Sequence, residues 1–407
     1  MTSYDMIVIG AGPAGSAAAT RAARAGANVL MVEKGPKGRD KVCGDGLTPR
    51  AIAALQTLEI DYSGAHRIDG LRMIAGRTRR QLPWPDNGVF PPNGAVWPRR
   101  LLDAHLAEAA SASGAEIRWE TDALPRLDDQ GRVVGVNIGS HKLNAEMVVA
   151  ASGAPGAVAR ILGAERVADE PHGLAIRAYV PSPRHSDRHL EACLTLRSPD
   201  GTAVPGYGWM FPAGDGTVNI GVGALSTMKG FKKLNLNTLL DGYRDLVRDE
   251  WEVGDYVSKP RAWRLPMSAV RRHGPGWVAV GDAAGLINPM NGEGIDYALE
   301  SGVLAADLFI DNPAAAPELY DREIASRFDA FLRTGRRFSF LIGHPFILRN
   351  GLRLAVGTQS IADITLQVMG NLVQPDTPGA AGRVMRIADK ALEISDPLLR
   401  RTRARSS

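Results

Sequence analysis

Residues 4–33 read YDMIVIGAGPAGSAAATRAARAGANVLMVE, and this stretch decides the fold. Tyr4 to Ile9 is apolar and partly β-branched, which predicts a strand, and the Ala-rich run Ser16 to Ala25 predicts a helix. Asn28 to Val32 is a second short apolar strand. Between the first strand and the helix stand Gly10, Ala11, Gly12, Pro13, Ala14 and Gly15, the GxGxxG spacing in the context that gives it meaning. The first glycine turns the chain, the second lets backbone approach a diphosphate, and the third lets helix and strand pack closely. The helix N-terminus adds the partial positive charge a diphosphate needs. Glu33 closes the second strand, where a carboxylate accepts hydrogen bonds from a ribose 2′-hydroxyl. An acid there favours FAD or NAD over a 2′-phosphorylated dinucleotide.

A second motif decides between the two. Trp277 to Val280 is an apolar strand that runs into Gly281 and Asp282, and the chain then reads NPMNGEGIDYA over 288–298 before a helix from about Gly294 to Ile310. A carboxylate at a strand end can hold a ribityl hydroxyl. A helix N-terminus behind Gly292 and Gly294 can face the electron-rich edge of a flavin. Both features point to FAD. No second GxGxxG marks a separate nicotinamide domain, so a transient reductant is expected.

The 407 residues allow two or three domains or one large interrupted fold. With 44% hydrophobic and 23% charged residues, the composition excludes disordered, collagen-like and coiled-coil classes. Two cysteines cannot build a disulfide framework and point to a reducing compartment. No apolar run is long enough to span a bilayer, and the N-terminus lacks a basic leader, so a cytoplasmic location is expected. The net charge of +4 is unevenly placed: Asp321 to Ser407 holds 14 Lys or Arg against 8 Asp or Glu. That basic tail interleaves Arg with Leu, Ile and Phe and carries no nucleic-acid motif, so it fits an anionic membrane surface and not a nucleic acid.

Helices are expected at Arg50 to Leu58, Arg99 to Ser113 and Asn235 to Val247, and through most of the chain beyond Ile324. Strands are expected around Ile68 to Trp84, at Glu116 to Trp119, Val133 to Ile138 and Met147 to Ala151, and repeatedly between Gly173 and Gly223. The fold class is therefore α/β: a Rossmann-like FAD-binding domain (1–60, 92–165 and 265–310), an inserted antiparallel β substrate domain (61–91 and 166–264) and a C-terminal helical region (311–407). No His, Cys, Asp or Glu grouping has metal-ligand spacing, so no metal is expected.

The two motifs together resemble the flavoprotein superfamily that includes p-hydroxybenzoate hydroxylase and the geranylgeranyl reductases. Three segments resemble the geranylgeranyl reductase branch in particular: RDKVCGDGLTPR at 39–50, WPRRLLDAHL at 97–106 and PGYGWMFPAGDGTVNIGVG at 205–223. Within it, LTPR, LRSPDG, NIGVGALST and NPMNGEGIDY are most similar to the menaquinone reductases of actinobacteria. The resemblance implies an FAD-dependent reductase that saturates a double bond of a polyprenyl lipid, menaquinone first, with NADPH or a ferredoxin-like protein as electron donor. It implies that Cys43, Gly44, Asp45 and Gly46 pass beside the flavin and that Arg99, Ala123 and Ile295 join Gly10, Ala11, Gly12, Ala14, Gly15, Glu33, Asp282, Gly292 and Gly294 in holding FAD. It also turns Tyr207 and Trp209 toward the substrate. One departure is Ser152-Gly153, where the superfamily usually carries Asp-Gly.

An isolated alkene has no electron-withdrawing group, so hydride addition needs a proton at the other carbon. Such a site must be dry and long. Cys43, Tyr207 and Trp209 are the candidate catalytic residues; Asp45, Asn288, Asn291 and Glu293 are polar neighbours equally able to orient backbone or move a proton. Cys193, inside an alternating strand, reads as core, and His344 before Pro345 reads as a turn residue. Competing functions are an aromatic hydroxylase or flavin halogenase of the same superfamily and a non-catalytic prenyl carrier. Phe331, Phe338, Phe340, Leu341, Phe346 and Leu348, interleaved with Arg333, Arg336, Arg337, Arg349 and Arg353, make 331–356 either a peripheral membrane helix or a helical lid.

Overall fold

The first strand, Ser3–Ile9, is covered on both faces over its last residues, as a parallel strand between two others must be. It runs parallel to Val29–Val32 on one side and to His141–Ala150 on the other, with Ile9 in register with both Val32 and Ala150. The computed structural model describes residues 3–390 apart from 87, 155, 199–200, 374–378 and 388–389. Trp277–Ala279 and Glu116–Arg118 extend the parallel sheet outward. Val133–Ile138 folds back antiparallel on the first half of His141–Ala150, and Leu124–Leu127 pairs antiparallel with Val133–Ile138. Helices Pro13–Arg24, Arg99–Ala112 and Ile295–Asp311 pack with one another against this sheet. The many alanines of the first helix permit that closeness, with Ala17, Ala18, Ala19 and Ala22 all buried.

The second layer is a seven-stranded sheet in the order Arg261–Pro266, His172–Pro181, Thr217–Leu225, Gly206–Pro212, His189–Cys193, Gly70–Ala75, Thr78–Pro83. Every pair is antiparallel except His189–Cys193 with Gly70–Ala75. Strand alternation sorts its side chains into two sets. Ile176, Ala178, Val180, Met210, Val218, Ile220 and Val222 pack beneath helix Leu236–Trp251, whose Leu239, Leu240, Tyr243 and Trp251 close that core. The opposite set, including Arg177, Tyr207, Trp209 and Phe211, turns to a cavity between the two sheets. A small sheet of Gly46–Leu47, Gly94–Val96 and His66–Ile68 lies alongside.

Helix Ala316–Ile324 continues through a π turn at Ala325–Asp329 into Ala330–Ile342, and helices Pro345–Ala355 and Gln359–Met369 follow. The architecture is thus the expected Rossmann-like sheet with an inserted β sheet and helical C-terminal region. Three expectations need correction. His141–Ala150 is twice the expected length because its first half is polar and half-exposed, which hides the strand signal. Arg261–Pro266 was not expected at all, since RAWRLP carries two arginines. The helical expectation for 391–407 lies outside the described residues. Among the described residues no helix is long and apolar enough to cross a membrane.

Candidate functional site

The cavity between the sheets has a volume of about 1350 Å³, beyond what a single drug-sized ligand fills. Its polar end is the first βα turn. A Cβ on Gly15 would lie 1.9 Å from the Gly10 carbonyl oxygen, so only glycine lets the helix start this close to the strand. A Cβ built on Gly12 would instead point into space 3.8 and 3.9 Å from the guanidinium nitrogens of Arg99 and Arg39. Two cations and a helix N-terminus thus converge on one spot, the chemistry that recognises a diphosphate. Asp103 fixes Arg99 with a bidentate pair at 2.7 and 2.9 Å.

Glu33 is held by the Ala11 amide at 3.0 Å, the Gly35 amide at 2.9 Å and the Arg39 guanidinium at 3.1 Å. Burial pushes its carboxyl up, but Arg39 and the two amides outweigh burial and hold it below the usual range. Gly10, Gly12, Ala14, Glu33 and Ala123 line the cavity; Ala11 and Gly15 stand behind that lining, the one on Glu33 and the other in the helix packing.

Further in, Cys43, Gly44, Asp45, Gly46, Asp282, Gly292, Gly294 and Ile295 all line the same cavity. Asp282 makes no side-chain hydrogen bond among the described residues. Asp45 is the opposite case: its fully buried carboxylate accepts from the Tyr179 hydroxyl at 2.5 Å, the Asn219 amide at 2.8 Å and the Arg99 amide at 3.2 Å. Burial still dominates and pushes its pKa up to about 6. Cys43 accepts from the Asp45 amide at 3.3 Å, and burial raises its thiol.

Tyr207 and Trp209 stand side by side on the inserted sheet with ring centroids 5.8 Å apart, and Phe211 follows at 6.2 Å from Trp209. Gly221 makes room for the indole: a Cβ there would sit 2.1 Å from Trp209 Cζ2. Both polar handles are engaged by the protein, Tyr207 donating to the Asn291 carbonyl at 2.6 Å and Trp209 to Asn219 at 2.9 Å. Past this wall the cavity is lined by apolar residues such as Met73, Leu190, Leu225, Leu265 and Ile342, and it reaches helices Ala330–Ile342 and Pro345–Ala355.

The site therefore joins an anion cradle, an unpaired carboxylate and an apolar channel. The FAD binding domain family matches residues 3–311. A menaquinone reductase of Mycolicibacterium smegmatis is 40% identical over 404 residues, covering 96% of this chain and 97% of that protein. The chain belongs to the FAD-dependent geranylgeranyl reductase family. A digeranylgeranylglycerophospholipid reductase of Methanopyrus kandleri is 32% identical, with 76% of this chain and 80% of that protein covered. A geranylgeranyl bacteriochlorophyll reductase-like protein of Thermoplasma acidophilum shares the fold at a TM-score of 0.75 and 24% identity, covering 91% of this chain and 99% of that one. A member of this family is an oxidoreductase with FAD as cofactor, and the lining residues suit that group.

Sequence reading missed several residues of the site. Lys41 has its ammonium 3.4 Å from the Trp263 ring centroid, buried and without a hydrogen bond among the described residues. Burial lowers it to about 8, against the pull of Asp282. Trp263 lies on the unexpected strand Arg261–Pro266, and nothing local signalled it. Arg177, on the cavity face, pairs with Asp40 and so ties the loop before Cys43 to the inserted sheet. Cys193 is core, and His344 stands in the bend just before helix Pro345–Ala355, making no side-chain cap bond to it.

Proposed function

We propose that this protein reduces a carbon–carbon double bond in the chain of a polyprenyl lipid, with menaquinone as the substrate of choice. The reading rests on one cavity that joins the dinucleotide cradle to an apolar channel, together with the identity to a menaquinone reductase along nearly the whole chain. Reduced FAD supplies a hydride in such chemistry. The chain's own residues do the rest. In this proposal Gly10, Ala11, Gly12, Ala14 and Gly15 shape the diphosphate cradle, with Arg99 as its cation, and Glu33 and Asp282 hold ribose and ribityl hydroxyls. Gly44, Gly46, Ala123, Gly292, Gly294 and Ile295 complete the flavin's surroundings. Asp45 holds the wall through Tyr179 and Asn219. Tyr207 and Trp209 exclude water and position the prenyl chain, and Cys43 gates the space between them and the flavin. Division into an FAD domain, an inserted β domain and a helical region belongs to the same proposal.

A diffusible or protein donor, NADPH or ferredoxin-like, supplies the electrons. The enzyme works at the cytoplasmic face of the membrane, because its substrate resides there, and exposed Phe338, Ile347 and Leu354 make the cavity mouth apolar. Expression in a host whose menaquinone chain is fully unsaturated tests this. Extracted quinone should gain two hydrogens in mass, and the gain should vanish with Asp282→Ala. Unchanged quinone with normal yellow protein would contradict it. An oxygen- or chloride-dependent product would mark a hydroxylase or halogenase, and a colourless protein would mark a carrier.

A further inference from the structure

Alkene reduction at this site needs an acid that holds a proton at neutral pH, faces the cavity beside the aromatic wall and is stabilised once ionised. Tyr207 fails the third requirement: burial and the neighbouring Glu293 raise its hydroxyl, no cation among the described residues offsets them, and its proton is donated to the Asn291 carbonyl at 2.6 Å. Asp45 lines the cavity, but its carboxyl is buried and both oxygens are engaged by Tyr179, Asn219 and the Arg99 amide, so it presents no free edge to a substrate. Lys41 is engaged elsewhere, its ammonium over the Trp263 ring and drawn by the charge of Asp282.

Glu293 meets all three. It lies one residue before the glycine that precedes helix Ile295–Asp311, and its half-buried side chain opens into the cavity. Thr48 donates to Oε1 at 2.5 Å and Asn291 to Oε2 at 3.3 Å. The same Asn291 receives the Tyr207 hydroxyl through its carbonyl, so the acid and the aromatic wall share one anchor. Beneath it lie buried Asp296, Arg50 and Tyr297: Arg50 pairs with half-buried Glu300 at 2.6 Å, and the Tyr297 hydroxyl donates to Asn371 at 2.8 Å. Arg50 stands 4.0 Å from Asp296, so one guanidinium serves both Asp296 and Glu300, and its positive field reaches Glu293.

We propose that Glu293 is the proton donor of the double-bond reduction, an inference that rests on the reductase reading above. One alkene carbon receives hydride, with both electrons, from reduced flavin, and the π bond breaks. The other carbon takes the proton as the Glu293 O–H bond breaks, so two C–H bonds form, the flavin ends oxidised and Glu293 ends as carboxylate. Thr48, Asn291 and the field of Arg50 stabilise that carboxylate until water reprotonates it. Burial, reinforced by Asp296, raises its pKa well above the usual carboxyl value, while Thr48, Arg50 and Asn291 pull the other way. Of the cavity-facing groups near it, the Tyr207 hydroxyl and Cys43 thiol are both raised by burial, as are Asp296 and Tyr297 beneath. Activity is then present where Glu293 is protonated and is lost as pH rises through its raised pKa.

The test compares the parent, Glu293→Gln and Glu293→Asp as purified flavoproteins reduced with dithionite and given menaquinone. E293Q should keep its flavin band and lose roughly 100-fold or more in side-chain reduction, while E293D keeps activity with a displaced alkaline limb. Independently of turnover, the infrared difference between parent and E293Q at neutral pH should show the C=O stretch of a protonated carboxylic acid. Side-chain reduction by E293Q within about threefold of the parent overturns the proposal. So does absence of that band, or loss of flavin from E293Q with retained fold, which would make Glu293 a cofactor-holding residue. A parent that reduces no polyprenyl chain overturns the reductase reading itself, and this inference with it.

Discussion

At the scale of single residues, Asp282 and Asp45 are carboxylates with opposite circumstances, and each makes a separate prediction. Asp282 faces the cavity with no side-chain hydrogen bond among the described residues, which leaves its carboxylate oxygens for a ligand. A hydrogen bond to a charged group contributes about 1.5–3 kcal/mol, so Asp282→Ala should weaken FAD binding about 10- to 100-fold, read by flavin absorbance after gel filtration. Full occupancy in that variant would contradict the assignment. Asp45 is buried by its partners, and burial raises it from 3.8 to about 6 despite Tyr179 and Asn219. A raised folded-state pKa makes the protonated form the stabilising one. Its contribution is fully present below about pH 4 and is lost as pH rises through about 6. Asp45→Asn cannot ionise, and asparagine tolerates the positive φ of 65° at this position. Between about pH 4 and pH 7 the unfolding free energy of the parent should therefore fall relative to the variant by on the order of 3 kcal/mol, measured by chemical denaturation. Parallel pH profiles would show that Asp45 is not perturbed by burial.

At the scale of elements, the sequence was most legible where one physical requirement fixes several residues at once. The first βα turn is such a place: Gly10, Gly12, Gly15 and Glu33 each satisfy a separate constraint of one cradle, and all sit together in the fold. Tyr207 and Trp209 were legible as neighbours because strand alternation alone puts them on one face. Lys41 and Trp263 were not, because their meeting depends on a loop crossing to a strand far along the chain, which no local pattern encodes. The helices after 330 show a mixed outcome. Phe338, Phe346, Ile347 and Leu354 are exposed, while Leu348 is buried. Arg336 is turned inward, donating to the Met267 carbonyl at 3.2 Å and pairing with Glu170 at 3.5 Å, so it cannot reach toward a lipid phosphate. The side chain of Arg349 lies outside the described residues. Lid and membrane face are therefore compatible roles for one segment, since Phe338, Ile347 and Leu354 both line the cavity and reach its outside. Sedimentation with anionic vesicles should show binding that weakens as salt rises, each surface cation contributing about 1 kcal/mol. Phe346→Asp should lower that binding roughly tenfold or more, the worth of burying a phenyl ring. Absence of binding to anionic and neutral vesicles alike would leave the segment a lid only.

At the scale of the whole molecule, the parallel sheet supplies the cradle, the inserted sheet supplies the aromatic wall, and the C-terminal helices close the apolar end of one cavity. The order of these parts was readable because the two flavin motifs bracket the insertion, at Gly10 and Asp282. How the inserted sheet meets the first loop was not, because it depends on Arg177 reaching Asp40 and on Asn219 reaching both the Cys43 carbonyl at 2.9 Å and Asp45. In the proposed reaction, electrons held by the flavin enter the prenyl chain of the substrate. The most direct measurement is a single turnover without oxygen: protein reduced by dithionite and freed of excess reductant is mixed with menaquinone, and the quinone is analysed by mass spectrometry. The product should be heavier by two hydrogens in its side chain, with no more than one such molecule formed per flavin. Reoxidised flavin beside a side chain of unchanged mass would contradict it.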